Sequence, residues 1–462
     1  MRILLVVPRY PWPARQGDRL RAGQLVELLG AEHEIRVLCP PPESGAPSPP
    51  ESWPATLLPY SRSSWWRRGL RALMAGLRGE PLQAGWFREP SLTRRLREER
   101  GKADLVILQL ARLAHHRQDL GEVPVVVDLI DCLALNFQQR ARRESPPLSW
   151  VLREESRRLL KAESELVAGC RGALLVSGRD RDYLLEHSGL LERSDAGKAA
   201  ADALRVLPLA FPLVGPSDSV VGGGGGAPAA SGASSREGSG QASVESSASL
   251  EKAGGEQEAL EPSASPYLVL TGNLGYFPTV DGALWFLDEV WSRLLLELGE
   301  SPPRLVFAGA RPAAALRQRI EECRRRGEAV MLVPSPPRLE PWLAAATVAL
   351  APMHSGSGQP IKILEAWQQG VPVVATAYAA AGTTGRPGED LLVADDADSM
   401  VEAIAGLLLD PQRRAAIAAS GRRRLELDYS RAAIHESWTK WLDGLGQAPV
   451  DSTVSGAELP ER

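Results

Sequence analysis

The sequence predicts two doubly wound α/β domains in tandem, each a parallel sheet with helices on both faces. Three observations carry that prediction. Short β-branched apolar runs alternate with amphipathic helical stretches along most of the chain. The runs are apolar at consecutive positions rather than at every second one, the pattern of strands buried on both faces. A single long polar segment, rich in glycine and serine, splits this rhythm into two similar halves.

In the first half the predicted strands are RILLVV (2–7), EIRVLC (34–39), DLVILQ (104–109), VPVVVDL (123–129) and GALLVS (172–177). In the second they are YLVLTG (267–272), RLVFAG (304–309), AVMLV (329–333), TVALAP (347–352) and VPVVAT (371–376). Ligands of such sheets bind beyond the carboxyl ends of the strands. Two domains in tandem would turn those edges onto a shared cleft. Residues 215–265 carry no aromatic side chain and almost nothing to bury, so they are expected to form a disordered tether. A Gly/Ser-rich chain of that length spans roughly 40 Å and cannot fix the domains' geometry. The expected organisation is therefore an N-terminal domain over 1–214 and a C-terminal domain over 266–428. A helix over 429–446 follows, with Ile434, Trp438, Trp441, Leu442 and Leu445 at helical spacing, to lie on its own core or on the other domain. Residues 447–462 are expected to be a disordered tail.

Composition narrows the class. The chain has 462 residues, 44% hydrophobic and 24% charged, long enough for two or three domains. A net charge of −4 gives no global attraction to nucleic acid. The four cysteines are far apart and read as free thiols in a reducing compartment. The apolar run before Pro8 is too short for a signal-peptide core, and no later run reaches the length of a membrane span. The expected location is the cytoplasm.

HSGSGQPIKILEAWQQGVPVVAT (354–376) reads as loop, helix and buried strand. Gly356 and Gly358 allow close approach of backbone to a ligand, and Pro360 suits the first helical position. The helix from Ile361 to Gln369 would aim free N–H groups and its positive dipole end at that loop, which makes an anion site. Lys362 adds a charge that the dipole disfavours there, so a negative ligand is the expected compensation. Glu365, one turn on, is an acceptor for hydroxyls about 5 Å from the anion. Phosphates beside sugar hydroxyls describe a nucleoside diphosphate sugar. The competing reading is a surface ion pair on an ordinary helix ended by Gly370.

GSGQPIKILEAWQQGVPVVAT resembles the donor-site signature of glycosyltransferase family 4, the retaining group 1 enzymes of GT-B fold, which have two Rossmann-like domains facing a central cleft. Residues 271–291, 333–358 and 388–430 are similar to the rest of that family's C-terminal domain, and 8–40 and 172–184 to parts of its N-terminal domain. The nearest subgroup is the exopolysaccharide-associated sugar transferases. The resemblance implies a nucleotide-sugar donor, a saccharide or lipid-linked acceptor, retention at the anomeric carbon, and no cofactor or metal beyond the co-substrate. It supports catalytic roles for Lys362 and Glu365; the placement of the residues adds Asp131 as an acceptor-side candidate and Gly17, Gly272, Asn273, Ser357, Gly358 and Ile361 as expected donor contacts. Two departures stand out: Ser357 occupies the first position of the family's Glu-x7-Glu pair, and GNLGYFP (272–278) replaces its Arg/Lys pair.

Further candidates accompany these. Arg15 and Arg19 flank Gly17 in a loop expected at the cleft, and His115 and His116 follow the third strand region. Asp128 and Asp131, in DLIDC, could orient an acceptor hydroxyl or cap the next helix. SRSSWWRRGLRALMAGLRG (61–79) holds five arginines and no acid, with Trp66, Leu70, Leu73 and Leu77 on one stripe. It would lie either on a membrane surface, peripheral at the inner face of the plasma membrane, or on its own domain. Two rival functions remain open: a nucleotide-sugar epimerase or hydrolase of the same fold, and a donor-binding scaffold subunit without catalysis.

Overall fold

The computed structural model describes residues 1–14, 17–43, 46–190, 195–211, 266–299 and 301–447. The expected tether 215–265, Arg15 and the tail beyond Gln447 lie outside the described residues.

Seven strands form the first sheet: β1 (Arg2–Val6), β2 (Glu34–Cys39), β3 (Thr56–Pro59), β4 (Leu105–Gln109), β5 (Val125–Ile130), β6 (Gly172–Leu175) and β7 (Leu204–Val206). Their order is β3-β2-β1-β4-β5-β6-β7, all parallel. Six strands form the second: β8 (Tyr267–Asn273), β9 (Arg304–Ala310), β10 (Val330–Pro334), β11 (Val348–Ala351), β12 (Val373–Ala375) and β13 (Leu392–Val393), in the order β10-β9-β8-β11-β12-β13, again parallel. In each sheet the chain winds outward through its first three strands and then crosses back to the other side of the first, so the order switches between β1 and β4 and between β8 and β11. That reversal opens a crevice at the carboxyl edge. Every residue of β4 and β5 is buried, as continuous apolar strands require.

The chain passes between domains twice, and the two passages touch. On the way out, Leu207 and Ala210 belong to the first domain's core while Phe211 belongs to the second's. On the way back, helix Pro411–Tyr429 lies on the second domain, and helix Arg431–Gln447 places Ile434, Trp438 and Leu442 against Leu5, Leu25 and Val26 of the first. The Phe211 N–H donates to the Tyr429 carbonyl at 2.7 Å. These crossings fix the domains' relation.

Two sequence candidates belong to this architecture rather than to a site. Asp128 is fully buried in an ion pair with Arg21, Nε to Oδ2 at 2.9 Å, because its position in β5 faces the helix Gly17–Leu29. His115 and His116 lie in the turn Ala111–Asp119 and point into the domain. His116 meets Asp119 at 3.1 Å, and burial pushes His115 down to about 2. Neither histidine reaches the cleft.

One buried acid supports the site from behind. Glu163, on helix Leu148–Ala168, accepts from the N–H groups of Leu133 and Ala134 at 2.8 and 3.4 Å. It thereby caps helix Leu133–Ala141. Burial raises its pKa from 4.5 to about 8, against the pull of those bonds. The folded chain therefore holds a proton that the unfolded chain releases near 4.5, and this group's contribution to stability declines as pH rises from 4.5 to 8. Glu163→Gln is expected to flatten that slope, measured as thermal midpoints across the window. An unchanged slope would mean that Glu163 is ionised throughout.

Candidate functional site

β11 ends in a loop that climbs over the carboxyl edge of the second sheet. Gly356 (φ +120°) and Gly358 (φ +73°) take conformations that favour glycine. Pro360 is the N-cap, so the helix starts one residue later than a proline in the first helical position implies, and runs Ile361–Gln368. Ile363, Leu364, Ala366 and Trp367 of this helix are buried, and the Trp367 indole N–H donates to the Asp390 carbonyl at 3.1 Å. With that face anchored, the remaining face presents Lys362 and Glu365 to the gap between the domains.

That gap is a cleft of about 1250 Å³. It brings together all eight expected donor contacts: Gly17 from the first domain, and Gly272, Asn273, Ser357, Gly358, Ile361, Lys362 and Glu365 from the second. The Lys362 ammonium donates to Thr279 Oγ1 at 3.3 Å. Its stem crosses the end of β8, where a Cβ on Gly272 would stand 3.7 Å from Lys362 Cε. Gly272 itself has φ +118°, so a side chain there is strained as well as close. Burial lowers Lys362 from 10.5 to about 8, partly offset by Glu365. Burial likewise raises Glu365 to about 7, opposed by Lys362 and by a hydrogen bond with the Thr271 side chain. A lysine this desolvated gains more from an anion than an exposed one does. Diphosphate affinity is therefore expected to fall as pH rises through about 8 and Lys362 loses its proton, a dependence that calorimetry reads directly.

The loop differs from expectation in where its polar groups point. The amides expected to receive phosphate are bonded across the cleft. Gly356 N–H donates to Gln139 Oε1 at 2.5 Å, and Gly358 N–H to Asp180 Oδ2 at 2.7 Å. Ser357 Oγ donates to Asp131 Oδ2 at 2.7 Å and accepts from Asn136 at 3.0 Å. Arg179 holds the carbonyls of Gly358 and Tyr378 at 3.1 and 2.8 Å. The positive φ values rotate these peptides toward the first domain, and its helices Leu133–Ala141 and Gly178–Ser188 end their side chains there. Ser357 and Gly358 line the cleft but serve as its interdomain seam.

Asp131 stands at that seam, beyond the end of β5 and outside the cleft lining. Burial, then the nearby Asp180, raise its pKa to about 6. Arg19 is paired with Glu43 at 2.8 Å rather than aimed into the cleft. Sequence reasoning missed Thr279, Gln139, Arg179 and Asp180. The last had a signal: Ser177 N-caps its helix by accepting from Asp180 N–H, a strand-end Ser-x-x-Asp pattern. Two buried groups in the cleft lack partners among the described residues, Ser355 Oγ and Gln359 Nε2. Both are placed to meet a polar ligand. Among the described residues no three His, Cys, Asp or Glu side chains cluster as a metal site.

Residues 265–410 match the family described as Glycosyl transferases group 1. No curated protein matches the chain significantly. Among solved structures, sucrose-phosphate synthase from Thermosynechococcus elongatus is 16% identical with a TM-score of 0.65, covering 97% of this chain and 100% of that one. HepE of Anabaena, solved in complex with UDP, is 12% identical with a TM-score of 0.60, covering 96% and 100%. The α,α-trehalose 6-phosphate synthase of Burkholderia multivorans is 12% identical with a TM-score of 0.57, covering 96% and 98%. At such identities the likeness concerns the fold. The two parallel-sheet domains have the GT-B architecture.

Proposed function

We propose that this protein is a retaining glycosyltransferase that moves a sugar from a nucleoside diphosphate donor to a saccharide or lipid-linked acceptor. Its expected setting is the synthesis of exopolysaccharide or cell-envelope glycan in the cytoplasm, at the inner face of the membrane. One observation carries this reading: Lys362 and Glu365 face the interdomain cleft from the first turns of a helix whose other side is locked into the core.

When the anomeric bond breaks, negative charge grows on the departing diphosphate. The Lys362 ammonium and the positive end of helix Ile361–Gln368 are fixed beside that position before the reaction starts. In this reading that positive charge serves in place of a metal ion. Glu365 accepts hydroxyl hydrogen bonds of the ribose or the sugar, and Gln359 Nε2 and Ser355 Oγ supply further polar contacts. The absent Arg/Lys pair after β8 leaves Lys362 and Arg338 as the second domain's cations in the cleft, with Arg9, 3.5 Å from Asp18, on the first domain's side. Asp131, raised to about 6, is suited to orient an acceptor hydroxyl once the seam to Ser357 opens.

The test is a donor screen that reads released nucleotide, with and without membrane lipid extract. UDP-sugars come first, because HepE of Anabaena, similar in fold, is solved with UDP and with UDP-glucose. A glycoside product with the donor's anomeric configuration is the expected result. Release of free sugar, with no glycoside under any condition, assigns the cleft to hydrolysis instead.

A further inference from the structure

Helix Trp65–Leu77 is inverted relative to an ordinary amphipathic helix on a domain surface. Its inward side is small: Ala72 and Ala75 press on helix Leu82–Phe87, where a Cβ on Gly85 would lie 2.7 Å from Ala75 Cβ and 2.3 Å from the Arg71 carbonyl. Its outward side is large and apolar. Trp65, Trp66, Leu70, Leu73 and Leu77 are between 53% and 76% exposed, so the fold gains little from them. Arg68 and Arg71 turn inward to Glu89, at 3.5 and 3.0 Å. Arg62, Arg67 and Arg78 remain exposed beside the apolar face, and no acid occurs between 61 and 79. Arg67 lies over the Trp66 ring, 5.1 Å from its centroid.

A second apolar set begins the neighbouring helix Leu148–Ala168, where Leu148, Trp150 and Val151 are 42–62% exposed. Arg158 of this helix donates to the Gly76 carbonyl at 2.8 Å, and Glu155 accepts from the N–H groups of Leu82 and Gln83 on helix Leu82–Phe87.

We propose that the outward face of helix Trp65–Leu77 seats the protein on an anionic lipid bilayer. Leucines on one stripe supply the apolar insertion, tryptophans lie at headgroup depth, and arginines meet lipid phosphates. A second copy is the poorer occupant, because a self-complementary contact would set Arg62, Arg67 and Arg78 against their own equivalents. The docking stands on these residues alone and does not depend on the transferase reading.

The test is co-sedimentation of the full chain with phosphatidylcholine vesicles, with and without phosphatidylglycerol. The wild type should partition to the mixed vesicles. Leu70→Ser with Leu73→Ser and Leu77→Ser should lower that partition by about two orders of magnitude. Arg67→Glu with Arg78→Glu should remove the preference for phosphatidylglycerol. Thermal midpoints and UDP titration of each variant separate the outcomes. Exposed positions should leave both at wild-type values, and a wild type that ignores UDP would fault the donor reading while leaving the vesicle result standing. Three results overturn the proposal: a wild type that stays in the supernatant, a leucine variant that still sediments, or a wild-type dimer that the leucine variant turns into a monomer.

Discussion

Lys362→Ala is expected to lower kcat by about a hundred- to a thousandfold and to weaken diphosphate binding, while the unfolding midpoint stays level or rises. The first effect follows from removing an aimed cation where charge develops on the leaving group. The second outcome separates this residue from an ordinary structural lysine. Its ammonium is desolvated at the cleft floor and has one neutral partner, Thr279, besides the nearby Glu365, so the folded apo chain bears a cost for it. The sign can be checked by pH. Lys362 titrates near 8 when folded and near 10.5 when unfolded, so the apo wild type gains stability relative to the variant as pH rises from 8 to 10.5. Donor affinity moves the other way across that window, because a diphosphate requires the protonated amine. Activity near wild type in Lys362→Ala would remove the anion site from the account.

The sequence made the long strands legible because burial on both faces leaves consecutive apolar residues, as in LVILQ and VVVDLI. It could not mark β3, β7 or β13, whose TLLP, LRV and LV are too short to carry a pattern and are strands only through their neighbours' hydrogen bonds. Helix Ile361–Gln368 was legible because a glycine loop, a proline and a charged pair at one-turn spacing share one stretch. What the loop's amides bind was not, since Gln139 and Asp180 come from another domain more than 170 positions away. The pair Asp128 and Asp131 shows the limit most clearly. Both sit in DLIDC, yet the register of β5 shifts after Asp128, and Ile130 takes φ +65°. One carboxylate turns into the core and the other, past the end of β5, toward Ser357. Positions three apart point to opposite faces of a strand, but nothing in the residue types announces which face holds the arginine that makes one acid structural.

Arg21→Ala is expected to be the most destabilising single change away from the cleft, costing about 3–5 kcal/mol, because it leaves Asp128 as an unpaired buried charge. Arg21 binds three parts of the molecule at once. It pairs with Asp128 on β5, donates to the Pro208 carbonyl at 2.9 Å on the outgoing crossing, and lies 5.5 Å from the Trp438 ring centroid on the returning helix. The double variant Arg21→Met with Asp128→Leu removes both charges and should recover most of the loss, as apolar replacements of buried pairs commonly do. Urea denaturation followed by tryptophan fluorescence measures both. If the double variant is no more stable than the single, the penalty comes from lost packing around Trp438 rather than from the stranded carboxylate. A linked effect separates this residue further from a merely local one. Both crossings set how the domains face each other, so Arg21→Ala should also weaken UDP binding without touching the cleft. Restored stability in the double variant without restored binding would assign that coupling to the Pro208 hydrogen bond, which methionine cannot reproduce.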